Sequence, residues 1–525
     1  MVKYAGGALL PRIAIDRGEK TTITVQLTAA LRELILSGQL APGQRLPSSR
    51  TLASDQGVSR TTATVVYDQL TAEGLVRSRV GSGAFVSDDI TLPPPAAPEP
   101  VARAAAPRLA RLGAEASRRY HPRLTHPDAP RAFITGTSAH ESFPMSVWAK
   151  LSARHWRQPR HRVMGFPDAS GLMELRRAIC SHLRANRALL CLPEEVFIFN
   201  GAQDAFNRIG GMLLDPGDRV WFENPGAIGA RNSLISSGAE LVPVPVDGEG
   251  LDVAAGLEAA PDFRMAFVTP AHQHPLGVTM SLRRRAALLE AAGEAGAWVV
   301  EDDYVGEFHY AQRQLPLLRS VDTEGRVIYV GTFSKAMFGS LRLGYAVVPS
   351  ELAPLFRHIA EATMQGVPSS LQAVMADFID EGYFAAHIRR MRGIYAERRD
   401  ALIAEAEDRC HDLLRVRPTD TGFHTIAELA PGLDEDDVCR RAAEAGIFLS
   451  PIGRFAIEPV RQRGVVLGFS ATPPGEIAAG MQVLADVLTD AARARAREAG
   501  VARRVPGKSA GTSATSDGTV PRAIG

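Results

Sequence analysis

From residue 131 to about residue 495, short apolar runs alternate with longer stretches of helical periodicity. The runs at 196–199, 219–222, 241–246, 265–268, 297–300 and 327–330 are rich in Val, Ile, Phe and Tyr and read as buried strands. Helical patterns fill the intervals at 171–185, 202–214, 227–237 and 282–294. Such alternation leaves few architectures open. It predicts an α/β domain with a largely parallel sheet covered by helices. Sheets of this kind bind ligands just beyond their strand ends, so the residues that close each apolar run are the first candidates for chemistry.

Four of those ends carry unusual residues. After 196–199 comes Asn200-Gly201-Ala202-Gln203 and a helix, a place where backbone N–H groups can approach a phosphate. After 265–268 comes TPAHQHPLG, with His272 and His274. After 297–300 comes Glu301-Asp302-Asp303-Tyr304. Three acids at the end of an apolar strand are costly unless a cation needs them, and a protonated pyridine nitrogen or a Mg²⁺ ion would serve. The run 327–330 is expected to break at Gly331 and deliver Ser334 and Lys335, with Arg342 seven residues on. A lysine held at a strand end suits carbonyl chemistry, because burial frees its amine.

The N-terminal segment has a different pattern. Leu27, Leu31, Leu34 and Ile35 mark one face of a helix over 22–37, which Gly38 ends. Pro47-Ser48 suits the start of a short helix over 50–56, Gly57 turns the chain, and Ser59 caps a helix over 60–73 with Ala63, Val66 and Leu70 inside. Residues 75–86 alternate around Gly81-Ser82-Gly83 as a two-stranded wing. Two short helices joined by a Gly turn, the second opening on Ser59, Arg60, Thr61, Thr62 and Thr64, give a helix-turn-helix layout. Arg45, Arg50, Arg77 and Arg79 add local positive charge, whereas the chain as a whole has a net charge of only +1. The stretch GQRLPSSRTLASDQGVSRTTATVVYDQLTAEGLVRSRVGSGAFV resembles a GntR-type winged helix-turn-helix throughout its length. That resemblance implies binding to double-stranded operator DNA through Arg45, Ser48, Arg50, Ser59, Arg60, Thr61, Thr62, Thr64 and Gly81.

Between the two patterns lies a Pro- and Ala-rich stretch with few large apolar residues, which reads as a linker with room for one short helix. The expected boundaries are 20–87 for the DNA reader, 88–130 for the linker, 131–495 for the large domain and 496–525 for a Gly/Ser/Thr-rich tail read as disordered. Four cysteines without CxxC spacing argue against a zinc site or a disulfide framework and fit a reducing compartment. No apolar stretch approaches the ~18 residues of a membrane span, so a cytoplasmic protein without a membrane partner is expected.

The strand-end motifs together resemble a fold-type I enzyme dependent on pyridoxal 5′-phosphate (PLP). Joined to the winged helix, they resemble the MocR/GabR family: a GntR reader fused to an aminotransferase-like domain with a smaller C-terminal α+β subdomain. The likeness covers roughly residues 25–490 and rests on TPAHQHPLGVTMSLRRRAALLEAA, EDDYVGEF and YVGTFSKAMFGSLRLGY. It implies that Lys335 forms the internal aldimine, Asp302 holds the pyridine nitrogen protonated, and Tyr304 donates to the phenolic oxygen. It assigns Gly201, Ala202, Ser334 and Arg342 to the phosphate, and puts His274 beside the ring where aminotransferases usually have Asn. No metal is implied. Two departures matter. Ala227 stands where a ring-stacking tyrosine is usual, and Val466 where a carboxylate-binding arginine is usual; Arg454, Arg461 and Arg463 lie close by in sequence. The expected function is a homodimeric, PLP-binding transcription regulator that senses PLP or a small amine or amino acid, with at most weak transaminase activity. The alternatives are an active aminotransferase with an accessory DNA-binding domain, and a DNA-binding protein with a vestigial cofactor site.

Overall fold

The computed structural model describes residues 13–79, 83–90, 109–122, 131–157, 161–310, 315–410 and 412–502. The chain divides into two compact units after Arg108.

In the first unit, α1 (Ile23–Leu36), α2 (Ser49–Gln56) and α3 (Arg60–Ala72) precede β1 (Val76–Arg79) and β2 (Gly83–Val86). Each helix starts on a hydroxyl cap: Thr22 accepts from the Val25 amide, Ser48 from Thr51 and Ser59 from Thr62. Gly57 closes α2 at φ 65°, a left-handed position that a side chain would strain. Leu27, Leu31, Ile35, Leu52, Ala63, Val66 and Leu70 are fully buried in one core, which Val76 and Val86 of the wing complete. The Tyr67 hydroxyl donates to the Pro47 carbonyl at 2.8 Å, fixing α3 to the turn before α2. The wing strands pair antiparallel from Val76↔Val86 to Arg79↔Gly83. Gly81 lies outside the described residues.

The second unit begins with α4 (Arg111–Arg119), the short helix expected in the linker. Its sheet has eight strands: β3 (Val196–Phe199), β4 (Arg219–Asn224), β5 (Glu240–Asp247), β6 (Gly250–Leu251), β7 (Met265–Val268), β8 (Trp298–Asp303), β9 (Val327–Thr332) and β10 (Gly344–Val347). Their order is β3-β10-β9-β8-β7-β4-β5-β6. The core of the sheet, β9-β8-β7-β4-β5, is parallel; β10 runs antiparallel between β3 and β9. Strands β3, β7 and β10 are buried at every position, which is why they read as unbroken apolar runs. A second, antiparallel sheet, β11 (Leu414–Val416), β12 (His424–Leu429), β13 (Ser450–Pro451) and β14 (Gly464–Gly468), packs with the long helices Tyr383–Cys410 and Pro474–Ala502. This is the smaller α+β subdomain. Its last helix runs past residue 495, the boundary drawn from composition. Among the described residues, no helix is long and apolar enough to cross a membrane.

Strands β4, β5, β8 and β9 end later than their apolar runs, and β8 and β9 carry site residues in the extension. Strand β9 continues through Gly331, where a break was expected: Gly331 pairs with Asp303 on one side and Tyr345 on the other. A Cβ on Gly331 would stand 2.4 Å from Tyr345 Cζ, so glycine is required there by close packing rather than by a turn. Strand β8 likewise runs through Glu301, Asp302 and Asp303, which lie in the ladder and not beyond it.

Candidate functional site

Strand pleating sorts the three acids of β8, because successive side chains point to opposite faces. Glu301 accepts the Leu318 and Arg319 amides at 2.9 Å each. Asp303 accepts from Arg187 at 2.7 Å and from the Tyr329 hydroxyl at 2.9 Å. Asp302, between them, faces the cavity, and its Oδ1 is buried without a hydrogen-bond partner among the described residues. Burial pushes its carboxyl well above the usual range; Asp303 and Glu223 push the same way, and Lys335 opposes them. The pleat thus separates Asp302 from Asp303, and the paired-aspartate Mg²⁺ alternative loses its second ligand. What remains is one buried acid awaiting a cationic partner.

The cavity has a volume of ≈ 770 Å³. The short helical turn Phe333–Ala336 that follows β9 brings Ser334 and Lys335 to it. Lys335 Nζ donates to the Gly136 carbonyl at 2.8 Å, and Ser138 Oγ donates to the Lys335 carbonyl at 2.9 Å. Gly136 has φ 75°, and a Cβ there would stand 2.8 Å from Lys335 Nζ, so this glycine makes room for the amine. Tyr304 donates its hydroxyl to the His272 carbonyl at 3.0 Å; burial, then Asp302, keep the phenol protonated. His274 lines the cavity with Nδ1 unpartnered among the described residues, and burial, then His424 and Lys335, hold its ring neutral.

At another part of the wall, helix Ala202–Leu213 begins beside Arg342. Arg342 adopts a left-handed φ of 47° and donates to the Asn200 carbonyl at 2.9 Å. Gly201 has φ 83°, and a Cβ on it would lie 3.2 Å from the guanidinium carbon of Arg342. The Gly201 amide already donates to the Phe199 carbonyl at 2.8 Å, so Gly201 contributes shape. The open N–H belongs to Ala202, the first residue of the helix, whose amide has no acceptor within it. Ser334 Oγ is buried without a partner among the described residues. An unpartnered hydroxyl, a helix N-terminus and a guanidinium are the donor set of an anion site. With Lys335 and Asp302 on the same cavity wall, the set fits PLP: a phosphate, an aldehyde and a basic ring nitrogen each find a complementary group.

The structure brings Ala202, His274, Asp302, Tyr304, Ser334, Lys335 and Arg342 to one cavity, with Gly201 against Arg342. It adds Gly136 and Thr332 to the lining, and Arg187 behind it on Asp303, none of which sequence patterns singled out. Ala227 lines the cavity without an aromatic ring. Val466 sits in β14, buried against Ile228, Ile426, Ile452 and Phe455. None of Arg454, Arg461 and Arg463 lines the cavity: Arg454 donates to the Pro122 carbonyl, and Arg463 lies 3.6 Å from Glu435. Among the described lining residues, Arg342 is the one guanidinium.

On the first unit, Arg45, Arg50, Arg60, Thr61 and Thr64 are exposed. The hydroxyls of Ser48 and Ser59 hold the starts of α2 and α3, each also within 2.8 Å of Thr51 or Thr62, and Thr64 Oγ1 donates to the Arg60 carbonyl. Arg77 pairs with Asp88, and Arg79 lies over the Phe85 ring at 5.2 Å. Such exposed pairs are worth about 0–1 kcal/mol and yield readily to a phosphate.

Residues 23–86 match the model of bacterial regulatory proteins of the gntR family, and residues 135–466 that of aminotransferase class I and II. The chain is 40% identical over 474 residues to the probable rhizopine catabolism regulatory protein MocR of Rhizobium meliloti, covering 90% of this chain and 95% of that one. It is 34% identical to the HTH-type transcriptional regulator TauR of Rhodobacter capsulatus, over 90% of this chain and 97% of that one. Among solved structures it is similar to LysN, the α-aminoadipate aminotransferase of Thermus thermophilus complexed with N-(5′-phosphopyridoxyl)-L-leucine. That likeness has a TM-score of 0.63 at 27% identity, over 69% of this chain and 92% of that one.

Proposed function

The chain belongs to the MocR-type family of DNA-binding transcription regulators, a GntR reader joined to an aminotransferase-like domain, and we propose that it regulates its operator in response to PLP and to an amine that reaches the same cavity. The observation that carries this reading is Asp302, a buried acid on the cavity wall whose Oδ1 has no hydrogen-bond partner among the described residues. When bound, PLP supplies an aldehyde that condenses with primary amines and a ring that draws electrons. Lys335 offers the amine, Asp302 the anion for the ring nitrogen, and Tyr304 a protonated phenol whose single hydrogen would turn from the His272 carbonyl to the cofactor. Ser334, Arg342 and the Ala202 amide hold the phosphate, and His274 stays neutral beside them. Arg50, Arg60 and Thr61 face the DNA, with the capping hydroxyls of Ser48 and Ser59 presenting their helix N-termini to its backbone. Two copies would read two half-sites, and the cytoplasm is where such an operator is met.

Regulation is favoured over turnover by the cavity lining. Transamination needs a substrate clamped so that its Cα–H bond stands perpendicular to the ring. Arg342 belongs to the phosphate set, and no second guanidinium lines the described wall. An amine can still enter and change the relative stability of two conformations, for which ~1–3 kcal/mol of coupling is enough. The test has two arms. An absorbance spectrum of the purified protein with PLP should show a visible band. Operator titrations with and without PLP, and with a panel of amines, should give different affinities. A protein that binds its operator identically under all conditions, with no visible band, would leave a plain DNA-binding protein.

A further inference from the structure

The four cysteines are dispersed in the sequence, yet the fold brings two of them together. Cys180, in the middle of helix Met173–Arg187, and Cys191, in the loop that follows, stand with their Sγ atoms 3.4 Å apart. Both are free thiols and half-buried. Beside them opens a recess of ≈ 370 Å³ that both cysteines line, together with Arg184 and Glu195. Between them the chain reverses: Arg187 ends the helix, Ala188 takes a left-handed φ of 51°, and buried Leu189 pins the turn. The approach of the two thiols is therefore fixed by the body of a helix and the tight turn that follows it. The remaining cysteines differ. Cys410 is buried against Met481, and neither it nor Cys439 lines the recess.

We propose that Cys180 and Cys191 form a reversible dithiol–disulfide site that takes a small hydroperoxide through this recess. The Cys180 thiolate attacks one peroxide oxygen; the O–O bond breaks, and the departing hydroxide takes up a proton as water. Cys180 is then a sulfenic acid. The Cys191 thiol loses its proton and attacks the Cys180 sulfur, the S–S bond forms, and the hydroxyl leaves as a second water. Two thiols and one hydroperoxide give one disulfide and two waters, or one water and an alcohol for an organic peroxide. The hydrogen bond between the sulfurs supports this order, since it lowers the Cys180 thiol and, with burial, raises Cys191. The loop so closed contains Arg187, whose guanidinium grips Asp303 beside Asp302, so the bond would brace the strand that holds the orphan acid.

The test uses the full-length protein, reduced, desalted and treated with a slight excess of hydrogen peroxide before alkylation. The expected result is loss of two alkylatable thiols, a mass lower by two hydrogens, and a peptide map linking Cys180 to Cys191, all reversed by dithiothreitol. Cys191→Ser should instead accumulate a dimedone-reactive sulfenic acid on Cys180. Cys180→Ser should leave Cys191 reduced. Four unchanged thiols, a bridge to Cys439 or to a second chain, or oxygen addition on Cys180 without a bridge in the wild type would overturn the proposal. The wild-type peptide map decides it even if a serine variant folds poorly, and none of these readouts depends on PLP.

Discussion

Replacing Asp302 by Asn makes the cofactor reading quantitative, because it should move two measurements in opposite directions. The carboxylate oxygen is buried and unpartnered among the described residues, with Asp303 and Glu223 as acidic neighbours. In the cofactor-free protein the acid is therefore a liability that the amide removes, and Asp302→Asn should melt at the wild-type temperature or above it. With PLP the sign reverses. A hydrogen bond to a charged group is worth about 1.5–3 kcal/mol, so losing the pyridinium partner should weaken PLP binding by roughly 10- to 150-fold. The pH dependence follows from the raised carboxyl. Its folded pKa lies above the unfolded value near ~3.9, so its favourable contribution is full below that value and is lost as pH rises toward the folded one. The advantage of Asn over Asp in the cofactor-free protein should therefore grow with pH from about 4 upward. Thermal melts across pH, with and without PLP, and a PLP titration read by absorbance measure all of this. An Asn variant that is less stable without PLP and binds it as tightly as wild type would refute the assignment of Asp302 to the ring nitrogen.

Three further outcomes are expected. Lys335→Ala should lose the PLP label that borohydride otherwise fixes to the protein, while Asp302 and Arg342 retain noncovalent cofactor; a reduced wild-type peptide map with the label on another lysine would move the assignment. Arg60→Ala, on the exposed first turn of α3, should cost ~1–3 kcal/mol of operator affinity if it reads a base, and leave the PLP spectrum unchanged; an unaltered titration would relocate the recognition surface. A coupled assay with common amino acids and 2-oxoglutarate should stay near background, and sustained turnover of about 1 s⁻¹ or more would make the chain a working aminotransferase.

What the sequence made legible followed from local physics. Strands β3 and β7 are buried on both faces, so their runs are apolar without a break and their ends fall where the pattern stops. The caps of α2 and α3 are single residues, Ser48 and Ser59, whose chemistry acts within three positions. What stayed hidden depends on contacts far along the chain. Gly331 looked like a strand break because the ring that lies against it, Tyr345, belongs to a strand that pairs only after the chain has turned at Arg342. The partner of Lys335 is the Gly136 carbonyl, 199 residues earlier, and Asp303 Oδ2 is held by Arg187, 116 residues earlier. No spacing rule reaches that far.

The β8 acids are the instructive intermediate case. Their cluster pointed to a cation, but the period of two that separates Asp302 from its neighbours becomes visible only once the strand is known to continue through them. The same holds for Val466. Its identity was plain in the sequence, yet a nearby arginine might have reached the cavity in its place. The fold removes that option, because Val466 is sealed in a core with Phe455 and Ile228, while Arg454 is held by the carbonyl of Pro122. Supplying a second guanidinium would mean opening that core. A cavity with Ser334, Arg342 and Asp302 on its wall and no second guanidinium among its described lining residues fits the proposal of a site that holds PLP and admits an amine without clamping a carboxylate, as a sensor requires.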